Sequence, residues 1–103
     1  MEVAVVILNW NGKELLEKFL PSVVEHSNKA SIYVADNASD DQSVEFLKSH
    51  YPEVTIIENV TNGGFAKGYN DALVHVKEPI YCLLNSDVEV TSNWIDPIVA
   101  LFK

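Results

Sequence analysis

The 103-residue sequence contains no arginine, and its seven basic residues, all lysines, stand against fifteen Asp and Glu for a formal net charge of −8. Phosphate contacts along a polyanion need a surface of lysine and arginine, so nucleic acid and an anionic membrane are excluded as main partners. A single bound anion is compatible with this balance if a metal ion accompanies it. The lone cysteine, Cys82, excludes an intrachain disulfide framework and a Cys-based zinc site. It lies in the apolar stretch Ile80-Tyr81-Cys82-Leu83-Leu84 and reads as a small buried hydrophobe. No apolar run approaches the ~20 residues of a membrane span. Met1-Glu2 carries no positive charge, and the run Val3 to Leu8 is too short for a signal peptide. A cytoplasmic, reducing setting is therefore expected. The four glycines form neither G-x-x-x-x-G-K-[ST] nor a G-x-G-x-x-G after the first strand. No repeat, low-complexity tract or linker is visible, and the 48 % hydrophobic share is that of an ordinary globular chain.

What is present is an alternation of strands and helices. Val3 to Leu8 is continuously apolar and β-branched, the mark of a strand buried on both faces. Leu15, Leu16, Phe19, Leu20, Val23 and Val24 follow as one helical stripe, with Pro21 expected to kink it or to start a second short helix. Ser31 to Ala35 reads as a second strand. Ser39-Asp40-Asp41-Gln42 has the form of a capping box, with Ser39 as N-cap of a helix that carries Val44 and Leu47 and ends near His50, ahead of Pro52. Val54 to Ile57 reads as a third strand. Asn62-Gly63-Gly64 is a turn before a helix with Phe65, Tyr69, Ala72, Leu73 and Val76 on one face. Ile80 to Leu84 is a fourth strand, and a last helix is expected from Ser92 or Asn93 to the end. This order predicts an α/β fold: a three-layer sandwich around a mostly parallel, Rossmann-like sheet with right-handed crossovers.

Ligands of such sheets bind beyond the carboxyl ends of the strands. The segments there are Asn9–Gly12, Asp36–Ser39, Asn59–Gly64 and Asn85–Val90, all rich in Asn, Asp, Ser or Gly. Each alone reads as turn and cap chemistry; four on one edge point to a site. Asp36, at the tip of the second strand, is placed to accept hydrogen bonds from a nucleotide's ribose or base. Asn85-Ser86-Asp87 sets two oxygen-bearing side chains at i and i+2, which an extended chain places on one side and which suits a hard cation such as Mg²⁺ or Mn²⁺. Glu89 could extend the cluster. Two like charges 4 Å apart repel by about 4 kcal/mol at an effective dielectric of 20. A diphosphate near Asp36 and Asp87 thus needs a bridging divalent cation, since Lys13 and Lys67 are the only lysines near the rim. His26, His50 and His75 lie in or at the ends of helices, away from the strand tips. Trp10 stands in the first rim loop, where it either packs on a ligand or covers the sheet edge; Trp94 is assigned to the core or an interface.

The stretches Val5-Val6-Ile7-Leu8-Asn9-Trp10-Asn11-Gly12, Val34-Ala35-Asp36-Asn37-Ala38-Ser39-Asp40-Asp41-Gln42-Ser43, Asn62-Gly63-Gly64-Phe65-Ala66-Lys67-Gly68-Tyr69-Asn70 and Leu83-Leu84-Asn85-Ser86-Asp87-Val88 resemble, in order and spacing, the N-terminal half of the GT-A-fold family 2 glycosyltransferases, in particular rhamnosyltransferase-like members. The resemblance covers nearly the whole chain. It implies a nucleotide-diphosphate sugar donor (UDP, dTDP or GDP type) and transfer with inversion to a hydroxyl of a glycan or lipid-linked acceptor, in polysaccharide or cell-surface glycan synthesis. By the same resemblance Asn9 and Asn11 lie around base and ribose, and Asp36 recognises the base. Asn62, Gly64 and Lys67 belong to the stretch that closes over the nucleotide. Asp87 ligates the metal from the last position of the D-x-D element, while Asn85, which departs from aspartate, and Ser86 contact ribose or phosphate. In the family the catalytic base and acceptor site come from a later segment, so no catalytic residue is assigned. Residues 1–103 are expected to be the nucleotide-sugar-binding part of a truncated domain, with self-association through the apolar last helix as a consequence. The longer enzyme is expected in the cytoplasm or at the inner face of a membrane. Two rivals stand beside this reading. A metal-dependent phospho-transfer domain would want an acid at the tip of the first strand, where Asn9-Trp10-Asn11 offers none; the other rival is a non-catalytic binding or interaction module.

Overall fold

A strand whose neighbours cover both its faces and both its edges must be apolar throughout, and Val3–Asn9 is buried at every position. The computed structural model describes residues 3–27, 30–59, 64–85 and 94–95, with the backbone alone at 64–66 and 85. Its elements are β1 (Val3–Asn9), α1 (Lys13–His26), β2 (Ser31–Asp36), α2 (Ser43–His50), β3 (Thr55–Glu58), α3 (Gly64–Leu73) and β4 (Ile80–Asn85). The four strands are parallel in the order β3-β2-β1-β4. The chain thus builds outward from β1 to β3, then returns to the other side of β1, which places the switch of direction between β1 and β4.

The pleat sends alternate residues of β1 into two cores. Val3, Val5 and Ile7 meet Leu16, Leu20, Val23, Val34 and Leu47 on the α1/α2 side. Ala4, Val6 and Leu8 meet Tyr33, Ala35, Ile57 and Ala72 on the α3 side. The result is the expected three-layer α/β sandwich. Ile95 is buried in the first core, and the Trp94 indole Nε1 donates to Ser27 Oγ at 2.8 Å, so Trp94 belongs to the core. The rest of the predicted last helix lies outside the described residues. Among the described residues no helix is long and apolar enough to cross a membrane.

Several expectations are corrected. Pro21 does not start a second helix: α1 runs through it from Lys13 to His26. The proline forfeits one backbone bond, but Leu16, Leu20 and Val23 stay buried on the sheet on both sides of it, and Ser22 Oγ donates to the Phe19 carbonyl at 2.9 Å. Leu15, counted in the apolar stripe, is exposed on its flank. Cys82 is only half-buried, and burial pushes its thiol up. The ladder runs one residue beyond the apolar runs, ending at Asn9, Asp36 and Asn85; the third strand is shifted by one, to Thr55–Glu58.

Candidate functional site

The polar residues that close the strands form a hydrogen-bonded edge rather than four separate turns. Asn9 and Asp36 are register partners, both buried at the carboxyl end of the sheet. The Asn9 Nδ2 amide donates to Asp36 Oδ1 at 3.0 Å. Because a carboxylate offers only acceptors, the amide nitrogen of Asn9 must face it. That leaves Asn9 Oδ1 as a buried acceptor to which none of the described residues donates. Ser39 completes the carboxylate's shell: its N–H donates to Oδ2 at 3.0 Å and its hydroxyl to Oδ1 at 2.7 Å. Ala38, at φ 61°, turns the chain back so that Ser39 can reach Asp36.

The same serine joins the first two rim loops. Ser39 Oγ accepts from the Asn11 N–H at 2.9 Å, and Asn11 Oδ1 accepts from the Asp40 N–H at 2.8 Å. Asn11 sits at φ 48°, a region asparagine tolerates better than most residues. Asp41 then binds both helix starts. Its Oδ2 accepts from the Lys13 N–H at 3.0 Å, and its Oδ1 from the Ser43 N–H at 3.1 Å and from the Ser43 hydroxyl. Burial pushes the Asp41 carboxyl up, but the Ser43 hydroxyl and the backbone N–H groups of Lys13 and Ser43 outweigh it and hold it below the usual aspartate range.

On the opposite face of the sheet Asn37, also buried, accepts from Asn59 Nδ2 at 3.0 Å, and the same Nδ2 donates to the Gly68 carbonyl at 3.1 Å. Backbone bonds extend the ladder into these residues: Asn37 N–H to Asn9 O and Asn59 N–H to Asp36 O, each 2.8 Å.

The structure therefore brings Asn9, Asn11 and Asp36 together, as the sequence predicts. Ser39 is corrected: it does not cap the second helix, which starts at Ser43 after Gln42 in a left-handed conformation. A buried carboxylate needs donors more than a helix start needs that hydroxyl, and Asp41 serves the helix instead. Gly64 opens α3 at the carboxyl edge. The Lys67 ammonium is held at the surface by Asp71, one turn on, at 2.7 Å. Asn85 ends β4, with Leu8 as its register partner. Asn62, Ser86, Asp87 and Glu89 lie outside the described residues. Trp10 is 55 % exposed between Asn9 and Asn11. His50 stacks on Phe46 at 4.8 Å and takes no part in the edge. Among the described residues no group of three or more His, Cys, Asp or Glu could hold a metal ion, so the expected metal rests on Asp87. Asn37, Ser39, Asn59 and Asp41 are not among the expected site residues: the first three stand in the strand-end segments, and Asp41 lies just beyond the second.

The chain resembles solved glycosyltransferase structures over most of its length. The mannosyltransferase PcManGT from Pyrobaculum calidifontis, in complex with GDP-Man and Mn²⁺, superposes with a TM-score of 0.76 at 25 % identity, covering 89 % of this chain and 29 % of that one. S. aureus TarS (residues 1–349) superposes with a TM-score of 0.85 at 19 % identity, covering 99 % and 32 %. Its complex with UDP-GlcNAc gives 0.81 at 20 % identity, covering 99 % and 31 %. The chain thus spans about a third of the length of these structures. No curated relative matches. Residues 4–103 match the family described as Glycosyl transferase family 2. Nearly the whole chain is covered by that match, and the parallel sheet with helices on both faces is the one its GT-A neighbours share: the chain belongs to glycosyl transferase family 2.

Proposed function

We propose that residues 1–103 form the donor-nucleotide part of an inverting glycosyltransferase that works on a polysaccharide or cell-surface glycan. The observation that carries this is the pair Asn9–Asp36: a buried carboxylate and a buried amide whose oxygen has no partner among the described residues, side by side next to the sheet's switch of direction. That is where open α/β sheets bind nucleotides. The pair offers hydrogen-bond acceptors to a base or ribose, Trp10 offers an exposed ring for stacking, and the start of α3 at Gly64 offers backbone N–H groups. Asn62, Asn85 and Ser86 would surround ribose and phosphates, and Lys67 would contribute once released from Asp71. The nucleotide sugars named in the neighbours' structures are a guanosine and a uridine diphosphate sugar. Both kinds are candidates here, with dTDP-sugars as a third.

Asp87 would hold Mn²⁺ or Mg²⁺, and the bound ion would offset the diphosphate charge in a chain of net charge −8. The base that activates the acceptor hydroxyl, and the glycan or lipid-linked acceptor itself, would be supplied beyond this part, in the cytoplasm.

Titration of GDP, UDP and dTDP against the chain, with and without Mn²⁺, tests the reading by calorimetry and tryptophan fluorescence. One nucleotide should bind only with metal. Asp87→Ala should abolish the metal dependence, Asp36→Asn should weaken binding, and Trp10→Phe should remove the fluorescence change. No binding of any of the three at millimolar concentration with metal would refute it.

A further inference from the structure

We infer that Asn59 is a positioning residue that sets the depth and register of α3, and through it the helix start facing the nucleotide; this rests on the nucleotide reading above. The core under α3 combines the small residues Ala4, Ala35 and Ala72 with the larger Val6, Leu8, Tyr33 and Ile57, and Tyr69 and Leu73 of the helix pack against it. At its point of closest approach the helix carries Gly68. A Cβ there would lie 2.8 Å from Leu8 Cδ1 and 3.0 Å from Asn37 Nδ2, so a side chain fits only if Leu8, Asn37 or the helix shifts.

Apolar packing is non-directional, and directional bonds add a constraint on sliding and rotation. The described residues supply two. Asn59 Nδ2 reaches Asn37 Oδ1 and the Gly68 carbonyl at once. On the other side of β1, the Tyr69 hydroxyl donates to the Leu84 carbonyl at 2.6 Å. Adjacent residues of one helix are thus pinned to β2 and β3 on one side and to β4 on the other. Gly64 lies four residues before Gly68, so about one turn, roughly 5.4 Å, of α3 stands beyond the pins. That turn begins at the carboxyl edge. Asn59 is itself held by the ladder through its N–H to Asp36 O. The carboxylate proposed to meet the base and the helix proposed to meet the phosphates are therefore joined through one residue.

An amide suits the position because both of its partners, Asn37 Oδ1 and Gly68 O, are acceptors. Asn59→Asp keeps the shape and loses the donor. In the full 103-residue chain, nucleotide affinity with Mn²⁺ is measured for GDP, UDP and dTDP, beside amide hydrogen exchange. Asn59→Asp should weaken binding about tenfold or more and speed exchange at residues 65–69, while β1 and β2 exchange as before. Gly68→Ala, which wedges a methyl against Asn37, is the second variant and should give the same pattern should Asn59→Asp not fold. Ile57→Val, two residues away in the α3-side core, is the stability control; it should keep affinity within about twofold. The inference is overturned if Asn59→Asp and Gly68→Ala bind within about twofold of wild type, or if Ile57→Val loses as much affinity as they do. Absence of binding by the wild-type chain would overturn the nucleotide reading and this one with it, and the wild-type titration tells the two failures apart.

Discussion

Replacing Asp41 by alanine removes the caps of two helices with one cut. Neither α1 nor α2 is capped by the side chain of its own N-cap residue, Gly12 or Gln42. The Asp41 carboxylate does both from outside, with one oxygen on Lys13 N–H and the other on Ser43 N–H and the Ser43 hydroxyl. A lost side-chain cap costs about 1 kcal/mol, and an anion near a helix N-terminus adds roughly 0.3–1 kcal/mol. For two helix starts Asp41→Ala should therefore cost about 2–3 kcal/mol, which lowers the Tm of a domain this size by roughly 10–20 °C. Asp41→Asn keeps one acceptor and turns the other oxygen into a donor facing a donor, so about 1–2 kcal/mol should be lost. The sign of the pH dependence follows from the carboxyl being held below its ordinary value near 3.8. A depressed acid stabilises the fold above its unfolded value, and that contribution fades as pH falls through the lower, folded value. Urea unfolding should show a full gap between wild type and Asp41→Asn at pH 7 that closes below pH 3.8. If Asp41→Ala unfolds within about 0.5 kcal/mol of wild type at pH 7, as an ordinary surface substitution would, the double cap is refuted.

Ala38 holds φ 61°, where a non-glycine residue costs about 1–2 kcal/mol and a glycine only its own 0.5–1 kcal/mol of chain entropy. Ala38→Gly should leave stability unchanged or raise it by up to about 1 kcal/mol by chemical denaturation; a loss would mean that the methyl makes a contact that matters. The Tyr33 hydroxyl donates to Glu78 Oε1 at 2.8 Å, and burial followed by the Glu78 carboxylate pushes the phenol up. A raised acid stabilises below its unfolded value and ceases to as pH rises through its folded one. Tyr33→Phe should cost roughly 1–3 kcal/mol at pH 7, and the gap from wild type should shrink above pH 10.

The layers of the fold were legible because burial on both faces leaves a strand no choice but a continuous β-branched run, as in Val3 to Leu8. The site's location was legible for a related reason: Asn9, Asp36 and Asn85 stand at the first position after an apolar run, and the ladder simply extends to include them. The wiring was not. Ser39-Asp40-Asp41-Gln42 satisfies a capping box locally, yet Asp36 is 2 % exposed and draws Ser39 to itself. The competition is decided by burial, which a four-residue pattern does not contain. Pro21 does not begin a second helix for the same kind of reason, since its local cost is overridden by the buried stripe on either side. Asn59 was visible as a polar strand end. Its role requires knowing that Gly68 passes close by on the α3 face, a contact between segments that share no local pattern.

The end of β2 explains why two neighbouring residues differ by a single atom type. Successive side chains at a strand end point to opposite faces. Asp36 therefore meets the loops before α1 and α2, while Asn37 meets α3. Among the described residues every group bonded to Asp36 donates: the Asn9 amide, the Ser39 N–H and the Ser39 hydroxyl. Only an all-acceptor group satisfies three donors there. Asn37 is 1 % exposed beside the helix backbone at Gly68, and a carboxylate in its place would bury a charge at the layer's closest contact. Exchanging the two residues would thus break both faces at once, though either order makes an equally good turn. The two ties are separable as well. A nucleotide that met Asp36 as proposed would compete with Ser39 for the carboxylate, which ties the first two rim loops together. Asn37 and Asn59 meanwhile keep α3 in place on the opposite face.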